Sequence, residues 1–235
     1  MHESTVTATY SLTPRVQQLL LRVENHVFEH VPGQHVSVRL EDDNGSPTYR
    51  PYSPVNRPGT DTLVLAVKRY DGGTCSVWLH EREVGDRVTI TPPSGNLRLQ
   101  HPERDVAFLA TGTGLTPLLA LLDQYLEKGT GQATLLFGER TPDDLMYRAT
   151  LDRLEASHAN LNIDYVLSDP PSDWAGPSGY VQDHLASRLA DLHQPQVYAC
   201  GVPEMVVDTT RTLQQHGISE EDLFTEGWEE GAVVE

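Results

Sequence analysis

The chain has 235 residues, of which 38% are hydrophobic, so it can bury the core of one large domain or of two ordinary ones. Its formal net charge of −17 argues against nucleic acid or an anionic membrane surface as a partner. The apolar runs are far shorter than the roughly 20 residues that span a bilayer.

The cysteine content excludes several kinds of metal centre. An iron–sulfur cluster is usually held by four cysteines, and this chain has only two, Cys75 and Cys200, which also lie far apart in the sequence. A cluster of that kind is therefore excluded within this chain. A structural zinc site needs more ligands than these, and no histidine spacing suggests one, so no metal is expected. The start 1–4 lacks the basic and apolar regions of a secretory signal, which predicts a cytoplasmic protein.

The first hundred residues read as short strands, because polar and apolar residues alternate and β-branched residues are frequent. Turn residues at 42–45 and 57–59 separate the strands, and one helix, 75–83, interrupts them. The strands are predicted at 4–12, 16–23, 35–40, 48–55, 63–69 and 87–91. Six short strands in this length predict an antiparallel β-barrel.

After His101 and Pro102 the pattern changes to strands that alternate with helices. Strands are predicted at 105–110, 133–138, 163–167, 196–201 and 223–225, and helices at 116–128, 145–156, 181–192 and 203–216. This alternation predicts an α/β domain with a parallel sheet. We therefore expect two domains, 1–101 and 102–235, the second ending in an acidic tail.

The motif Arg50–Ser53 lies at the end of a predicted strand. Arginine offers a forked donor that suits a pyrophosphate, and Tyr52, two residues along the strand, shares its face and can stack on a flat ring. Ser53 points elsewhere and can donate a hydrogen bond to a ring nitrogen. Alone, this tetrapeptide is more typical of an ordinary strand end with a surface arginine.

The segment Gly72–Ser76 opens the predicted helix of the first domain. Glycines before a helix let free backbone N–H groups approach an anion. Ser76 either caps the helix or binds a phosphate oxygen, and both alternatives fit the sequence.

The segment Ala110–Pro117 joins the first strand and the first helix of the second domain. Its Gly-x-Gly pattern is the start of a dinucleotide fingerprint, although Pro117 stands where the third glycine would be. Proline suits the first turn of a helix. A glycine-rich turn at this position predicts a phosphate cradle.

The segment Tyr198–Met205 also follows a strand, at the edge where ligands bind in open parallel sheets. Its cysteine, Cys200, is equally typical of a small buried apolar residue.

In this order and spacing, the four motifs resemble the ferredoxin–NADP reductase family, and within it the flavin reductases and the reductase modules of oxygenases. The resemblance covers about residues 5–228. It implies a hydride transfer from NADH or NADPH to FAD, followed by transfer of electrons to a separate acceptor. In the first domain it implies that Arg50 contacts the FAD pyrophosphate, Tyr52 the isoalloxazine and Ser53 the flavin N5.

The resemblance also implies roles for residues beside these. The FAD site would include Pro51, Val67, Lys68, Gly73, Thr74, Cys75 and Ser76. The nicotinamide nucleotide would be bound by Gly112, Thr113, Gly114, Pro117, Gly201, Pro203 and Met205. Ser53, Cys200 and Glu226 would act at the hydride site, and Trp228 would approach the flavin, in a position where many relatives have Phe. A loop leading to the next helix contains Ser168, Trp174, Gly176 and 179–181.

By the same resemblance, Gly138, Glu139 and Arg140 lie near the adenosine ribose. A carboxylate at Glu139 suits the free ribose hydroxyls of NADH, whereas Arg140 could pair with the 2′-phosphate of NADPH. Neighbouring residues of an extended segment point to opposite sides, so one of the two faces the ribose, and we favour Glu139 and NADH.

The acceptor stays open at this level. An iron–sulfur protein such as a ferredoxin, an oxygenase component, free flavin and a ferric chelate all fit the sequence. A flavin-binding subunit without catalytic activity is the alternative of a different class.

Overall fold

The computed structural model describes residues 1–41 and 44–226, which form two compact units that divide between Arg98 and Leu99. The sequence places the domain boundary a few residues later, between residues 101 and 102. Among the described residues, no helix is long and apolar enough to cross a membrane.

The first unit is a six-stranded antiparallel sheet. Its strands are β1 (His2–Thr13), β2 (Val16–Arg22), β3 (Val36–Glu41), β4 (Pro47–Tyr52), β5 (Thr62–Lys68) and β6 (Arg87–Ile90). They are paired in the order β4-β3-β6-β1-β2-β5. The segment after β4 reaches the other edge, because Val55 N–H donates to the carbonyl oxygen of Val64 at 2.9 Å.

Alternating side chains of this sheet form the core of the first unit. Val36, Val38 and Leu40 of β3 are buried, whereas the residues between them are partly exposed, as a period of two requires. The helix α1 (Thr74–His80) contributes Cys75 and Leu79 to the same core. The predicted antiparallel architecture is confirmed.

The second unit is a five-stranded parallel sheet with helices. Its elements are β7 (Val106–Thr111), α2 (Leu115–Lys128), β8 (Ala133–Glu139), α3 (Arg148–Ser157), β9 (Leu161–Leu167), α4 (Val181–Leu189), β10 (Gln196–Cys200), α5 (Pro203–Gln215) and β11 (Leu223–Thr225). The strand order is β11-β10-β7-β8-β9. The first strand, β7, is therefore central, and the direction of winding reverses between β7 and β10. This is the edge at which open α/β sheets bind ligands.

The core of the second unit brings α4 and α5 against one face of this sheet. Ala107 and Leu109 of β7 and Leu136 of β8 pack with Leu185 of α4 and Leu213 of α5. The intervening residue of β7, Phe108, points to the other face and stacks on Tyr198 with ring centroids 5.4 Å apart. The predicted α/β class is confirmed.

One helix begins later than the sequence predicts. We expected a helix over 145–156, but α3 begins at Arg148, because Tyr147 adopts a left-handed conformation with φ of 57°. Leu145 and Met146 are instead buried apolar residues of the preceding segment. Their apolar pattern arises from burial and not from helical periodicity.

A buried hydroxyl in β8 leads to a prediction about stability. Thr134 is 3% exposed, and its Oγ1 has no hydrogen-bond partner among the described residues. Thr134→Val keeps the shape and removes an unsatisfied polar atom, so we expect the free energy of unfolding to rise by about 1 kcal/mol. Urea unfolding of the purified variant measures it.

Thr209→Val is the matched control, because the equally buried Thr209 hydroxyl contacts the sulfur of Met205 at 3.6 Å. It should show no gain in stability. A loss of stability in Thr134→Val would contradict the prediction.

Candidate functional site

The strand β4 ends in the predicted motif Arg50–Ser53. Arg50 is exposed, and its guanidinium donates to the carbonyl oxygen of Tyr49 at 3.0 Å. Tyr52 is partly buried against the core, whereas Ser53 is 9% exposed. The motif thus offers an exposed forked cation, the ring of Tyr52 and a nearly buried hydroxyl within four residues.

A side-chain contact joins this strand to α1. The Tyr52 hydroxyl donates to Cys75 Sγ at 3.5 Å. Burial raises the pKa of the Tyr52 hydroxyl above its usual range, and the nearby Cys75 adds to the effect. Burial also raises the pKa of the Cys75 thiol. Both groups are therefore protonated at neutral pH, so neither adds a negative charge near Arg50.

The turn before α1 is a compact backbone structure. A Cβ on Gly73 would lie 2.6 Å from Ser76 Oγ, so a larger residue does not fit without a shift. Ser76 does not cap the helix, since its Oγ accepts the Tyr70 N–H at 3.2 Å and no side chain caps α1. The N–H groups of the first helical turn have no acceptor within the helix, which leaves donors for an anion.

These features fit the pyrophosphate and flat ring of a flavin nucleotide. The donors are the Arg50 fork and the amides at Thr74 and its neighbours, and the ring surface is Tyr52. Val67 and Lys68, which the resemblance also places in the FAD site, have different surroundings. The Val67 side chain is fully buried in the core, whereas Lys68 is partly exposed.

The carboxyl end of β7 carries the predicted glycine turn. Residues Gly112–Gly114 form a single 3₁₀ turn that leads into α2, and Gly112 has a φ of 58°, which favours glycine. A Cβ on Gly114 would lie 2.2 Å from the carbonyl oxygen of Cys200. Pro117 is buried in the first turn of α2, where its missing N–H is not needed.

The carboxyl end of the adjacent strand β10 faces this turn. A Cβ on Gly201 would lie 2.0 Å from Thr111 Oγ1, so glycine is required there as well. Burial raises the pKa of the Cys200 thiol to about 12, and Glu226 adds to it. The thiol is therefore protonated at neutral pH. Pro203 is the first residue of α5, and Met205, two residues later, is buried.

The carboxyl end of β8 carries the two residues predicted near a ribose. Arg140 donates to Asp169 Oδ2 from Nε at 3.2 Å and from Nη2 at 3.1 Å. The backbones are joined too, since Ser168 N–H donates to Glu139 O at 3.1 Å and Asp169 N–H to Arg140 O at 2.9 Å. Gly138 leaves space for α4, because a Cβ there would lie 2.7 Å from Val181 Cγ1.

The loop between β9 and α4 closes on itself. Its ends meet where Gly179 N–H donates to Leu167 O at 2.9 Å, and Trp174 Nε1 donates to Pro177 O at 3.0 Å. The Trp174 ring packs on Gly176 and lies 5.7 Å from the Arg148 guanidinium. Trp174 therefore holds the loop that presents Asp169 to Arg140.

The two C-terminal candidates are placed differently. Glu226 is described, and its carbonyl oxygen lies 4.0 Å from Cys200 Sγ. Trp228 lies outside the described residues.

Two residues beside these strand ends were not predicted from the sequence. Thr111 accepts the Val202 N–H at 3.0 Å, and Asp169 binds Arg140. Thr111 stands directly before the glycine turn, a position that could have indicated it. Nothing in the sequence pairs Asp169 with Arg140, because they end different strands.

Comparison with known families identifies both units. Residues 4–99 match the model of the oxidoreductase FAD-binding domain, and residues 108–211 match that of the oxidoreductase NAD-binding domain.

Individual relatives cover nearly the whole chain. The chain is 33% identical to "Ferredoxin--NADP reductase B" of Sorangium cellulosum, over 87% of each protein. It is 30% identical to "NADH-cytochrome b5 reductase 1" of Dictyostelium discoideum, over 90% of this chain and 76% of that protein. Three other curated relatives are longer, and the chain spans 43–62% of their length.

A solved structure shows the same fold. The structure described as "Ferredoxin reductase in carbazole 1,9a-dioxygenase" has a TM-score of 0.83 and 26% identity, over 96% of this chain and 68% of that one.

Proposed function

We propose, since the chain belongs to the ferredoxin–NADP reductase family of FAD-dependent oxidoreductases, that it oxidises NADH and passes the electrons through FAD to a separate acceptor protein. The observation that carries this proposal is the presence of two donor-lined turns, one in each unit, in the segments that match the FAD-binding and NAD-binding models. We assign FAD to residues 1–101 and the nicotinamide nucleotide to residues 102–235.

In the first unit, the proposed roles follow from the donors present. Arg50 and the amides from Thr74 to Ser76 bind the pyrophosphate, since the Gly73 N–H already donates to the carbonyl oxygen of Tyr70 at 3.0 Å, and the Tyr52 ring stacks on the isoalloxazine. The nearly buried Ser53 hydroxyl donates a hydrogen bond to flavin N5. FAD held by these residues would supply the hydride-accepting and single-electron chemistry that connects a nicotinamide nucleotide to one-electron carriers.

In the second unit, the two glycine turns orient the nucleotide. Gly112, Thr113 and Gly114 offer backbone donors at a helix start, with Pro117 fixing the helix behind them. The Cys200 thiol is protonated at neutral pH, so it presents a neutral group along the hydride path and does not act as a base. Glu226 lies beside Cys200, with its backbone carbonyl oxygen 4.0 Å from the sulfur, and is proposed to relay a proton.

The charge distribution supports a protein acceptor that meets the FAD-binding part of the chain. Residues 1–98 contain ten Lys or Arg and eleven Asp or Glu, whereas residues 99–235 contain seven and 23. An acidic carrier would be repelled strongly by the second part and hardly by the first. The names of two relatives include cytochrome b5 and ferredoxin, which are proteins that carry electrons.

The test of the proposed function is reduction of the bound flavin. We expect the purified protein to be yellow and to bleach within seconds when NADH is added without oxygen. Reoxidation is then followed with a ferredoxin, cytochrome b5, free flavin or ferric citrate. A protein carrier should reoxidise the enzyme fastest, and for an acidic carrier the rate should rise as salt screens the repulsion from the acidic second part. A yellow protein that neither NADH nor NADPH bleaches would support the non-catalytic subunit instead.

A second prediction concerns FAD retention. Arg50→Ala removes a charge-assisted contact worth about 1.5–3 kcal/mol, so the affinity for FAD should fall on the order of 10–100-fold. The Arg50→Lys variant keeps the charge but lacks the forked donor. Its affinity for FAD should therefore lie between that of the wild type and that of Arg50→Ala. Fluorescence of FAD released on dialysis measures the effect.

Arg87→Ala serves as the matched control, because Arg87 is an exposed arginine of β6 that pairs with Glu3 at 3.6 Å. It should retain FAD like the wild type. Full retention of FAD by Arg50→Ala would show that Arg50 does not bind the pyrophosphate.

The Arg140–Asp169 pair supports NADH over NADPH. Arg140 is the cation closest in sequence to the proposed ribose site, and Asp169 already occupies two of its donors. With Glu139 and Asp169 both negative, a 2′-phosphate would meet more repulsion than attraction. The acidic second part of the chain adds a weaker penalty for the more anionic nucleotide.

The third prediction tests this preference. Asp169→Asn should release Arg140 and raise kcat/KM for NADPH about tenfold, which corresponds to about 1.4 kcal/mol, with little change for NADH. The double variant with Arg140→Ala should lose that gain. A wild-type preference for NADPH that collapses in Arg140→Ala would instead show that Arg140 faces the ribose.

A further inference from the structure

The carboxyl end of β7 holds a side chain that contacts the turn after β10. We infer that Thr111 is a positioning residue, whose hydroxyl sets the place of the Cys200–Val202 turn beside the glycine turn Gly112–Gly114. This inference rests on the proposed function, because it concerns the nucleotide site of the second unit.

The contact is a hydrogen bond from the turn to the central strand. Thr111 Oγ1 accepts the Val202 N–H at 3.0 Å. Val202 is the residue that precedes α5, and its own side chain cannot cap a helix; no side chain caps α5. The Thr111 hydroxyl therefore provides the side-chain contact that ties the start of α5 to β7.

The hydroxyl also lies against the most constrained residue of the turn. Gly201 has a φ of 155°, which residues with a side chain rarely adopt, and a Cβ there would lie 2.0 Å from Thr111 Oγ1. The turn is thus held in an unusual backbone conformation directly against the hydroxyl. Loss of the hydroxyl removes both the acceptor and the surface on which Gly201 packs.

The position of this turn decides the spacing of the two ligand-binding loops. The carbonyl group of Cys200 lies against Gly114 so closely that a Cβ would be 2.2 Å from the oxygen. A shift of the Cys200–Val202 turn would therefore change the gap in which we propose that the nicotinamide lies. Hydride transfer depends steeply on placement, since a shift of about 1 Å can cost on the order of 100-fold in rate.

The methyl group of Thr111 has a separate contact. A Cβ on Gly138 of β8 would lie 3.2 Å from Thr111 Cγ2. The hydroxyl thus faces β10 and the methyl faces β8, so substitutions can remove them separately. Thr111→Ser keeps the hydroxyl and loses the methyl, whereas Thr111→Ala loses both.

The experiment compares these two variants by stopped-flow reduction of the bound FAD with NADH. We expect Thr111→Ala to lower the limiting rate about tenfold at saturating NADH and to raise the apparent dissociation constant for NADH less, about threefold. Thr111→Ser should stay within about twofold of the wild type in both. FAD content should be equal in all, because the first unit is unchanged.

Thr134→Val is the matched control, since it removes a buried threonine hydroxyl of the neighbouring strand that has no hydrogen-bond partner among the described residues. It should keep the wild-type rate. If Thr111→Ala does not fold, Thr111→Val, which also lacks the acceptor, replaces it in the comparison.

Equal limiting rates in the Ala and Ser variants would overturn the inference. Hydrogen exchange of the Val202 amide distinguishes this failure from failure of the proposed function. Exchange should be faster in Thr111→Ala than in Thr111→Ser even if no nicotinamide nucleotide reduces the protein. If the wild type is reduced but the Val202 amide exchanges equally in both variants, the inference alone is wrong.

Discussion

The close approach of two backbones at the carboxyl edge of the parallel sheet is the constraint on which the nucleotide unit depends. Gly114 and Gly201 each stand where a single added carbon would collide with the neighbouring strand end. Because neither carries a side chain, the turns after β7 and β10 can lie directly against each other. Strand order places these turns together, since β10 pairs with β7 although nearly ninety residues separate them.

In the first unit, the donors that we assign to an anion come from different kinds of elements. Its anion donors come from an arginine at a strand end and from the uncapped start of a short helix. The contact between Tyr52 and Cys75 links these two elements, and burial keeps both groups protonated. Neither group therefore adds a negative charge beside Arg50, which favours the anion that we assign to this site.

The negative charge of the chain is distributed unevenly between its two parts. Nearly all of the net charge of −17 belongs to the residues after 98, whereas the FAD-binding part is almost balanced. Within the acidic part, Asp169 occupies the guanidinium of Arg140. This exposed pair contributes little to stability, but it changes the field that a 2′-phosphate would meet.

The sequence by itself determined the two architectures and the four motifs, because alternation of period two, helical periodicity and glycine-rich strand ends are local properties of the chain. Arg50–Ser53 and Gly112–Gly114 stand where these patterns predicted. The predicted start of α3 was wrong, because Leu145 and Met146 are apolar for burial in the preceding segment, and in the sequence they resemble residues of a helix. Tertiary structure alone decided that Thr111 binds Val202 and that Asp169 binds Arg140. Both pairs join ends of different strands, and only the order of strands in the sheet brings such ends within hydrogen-bond distance.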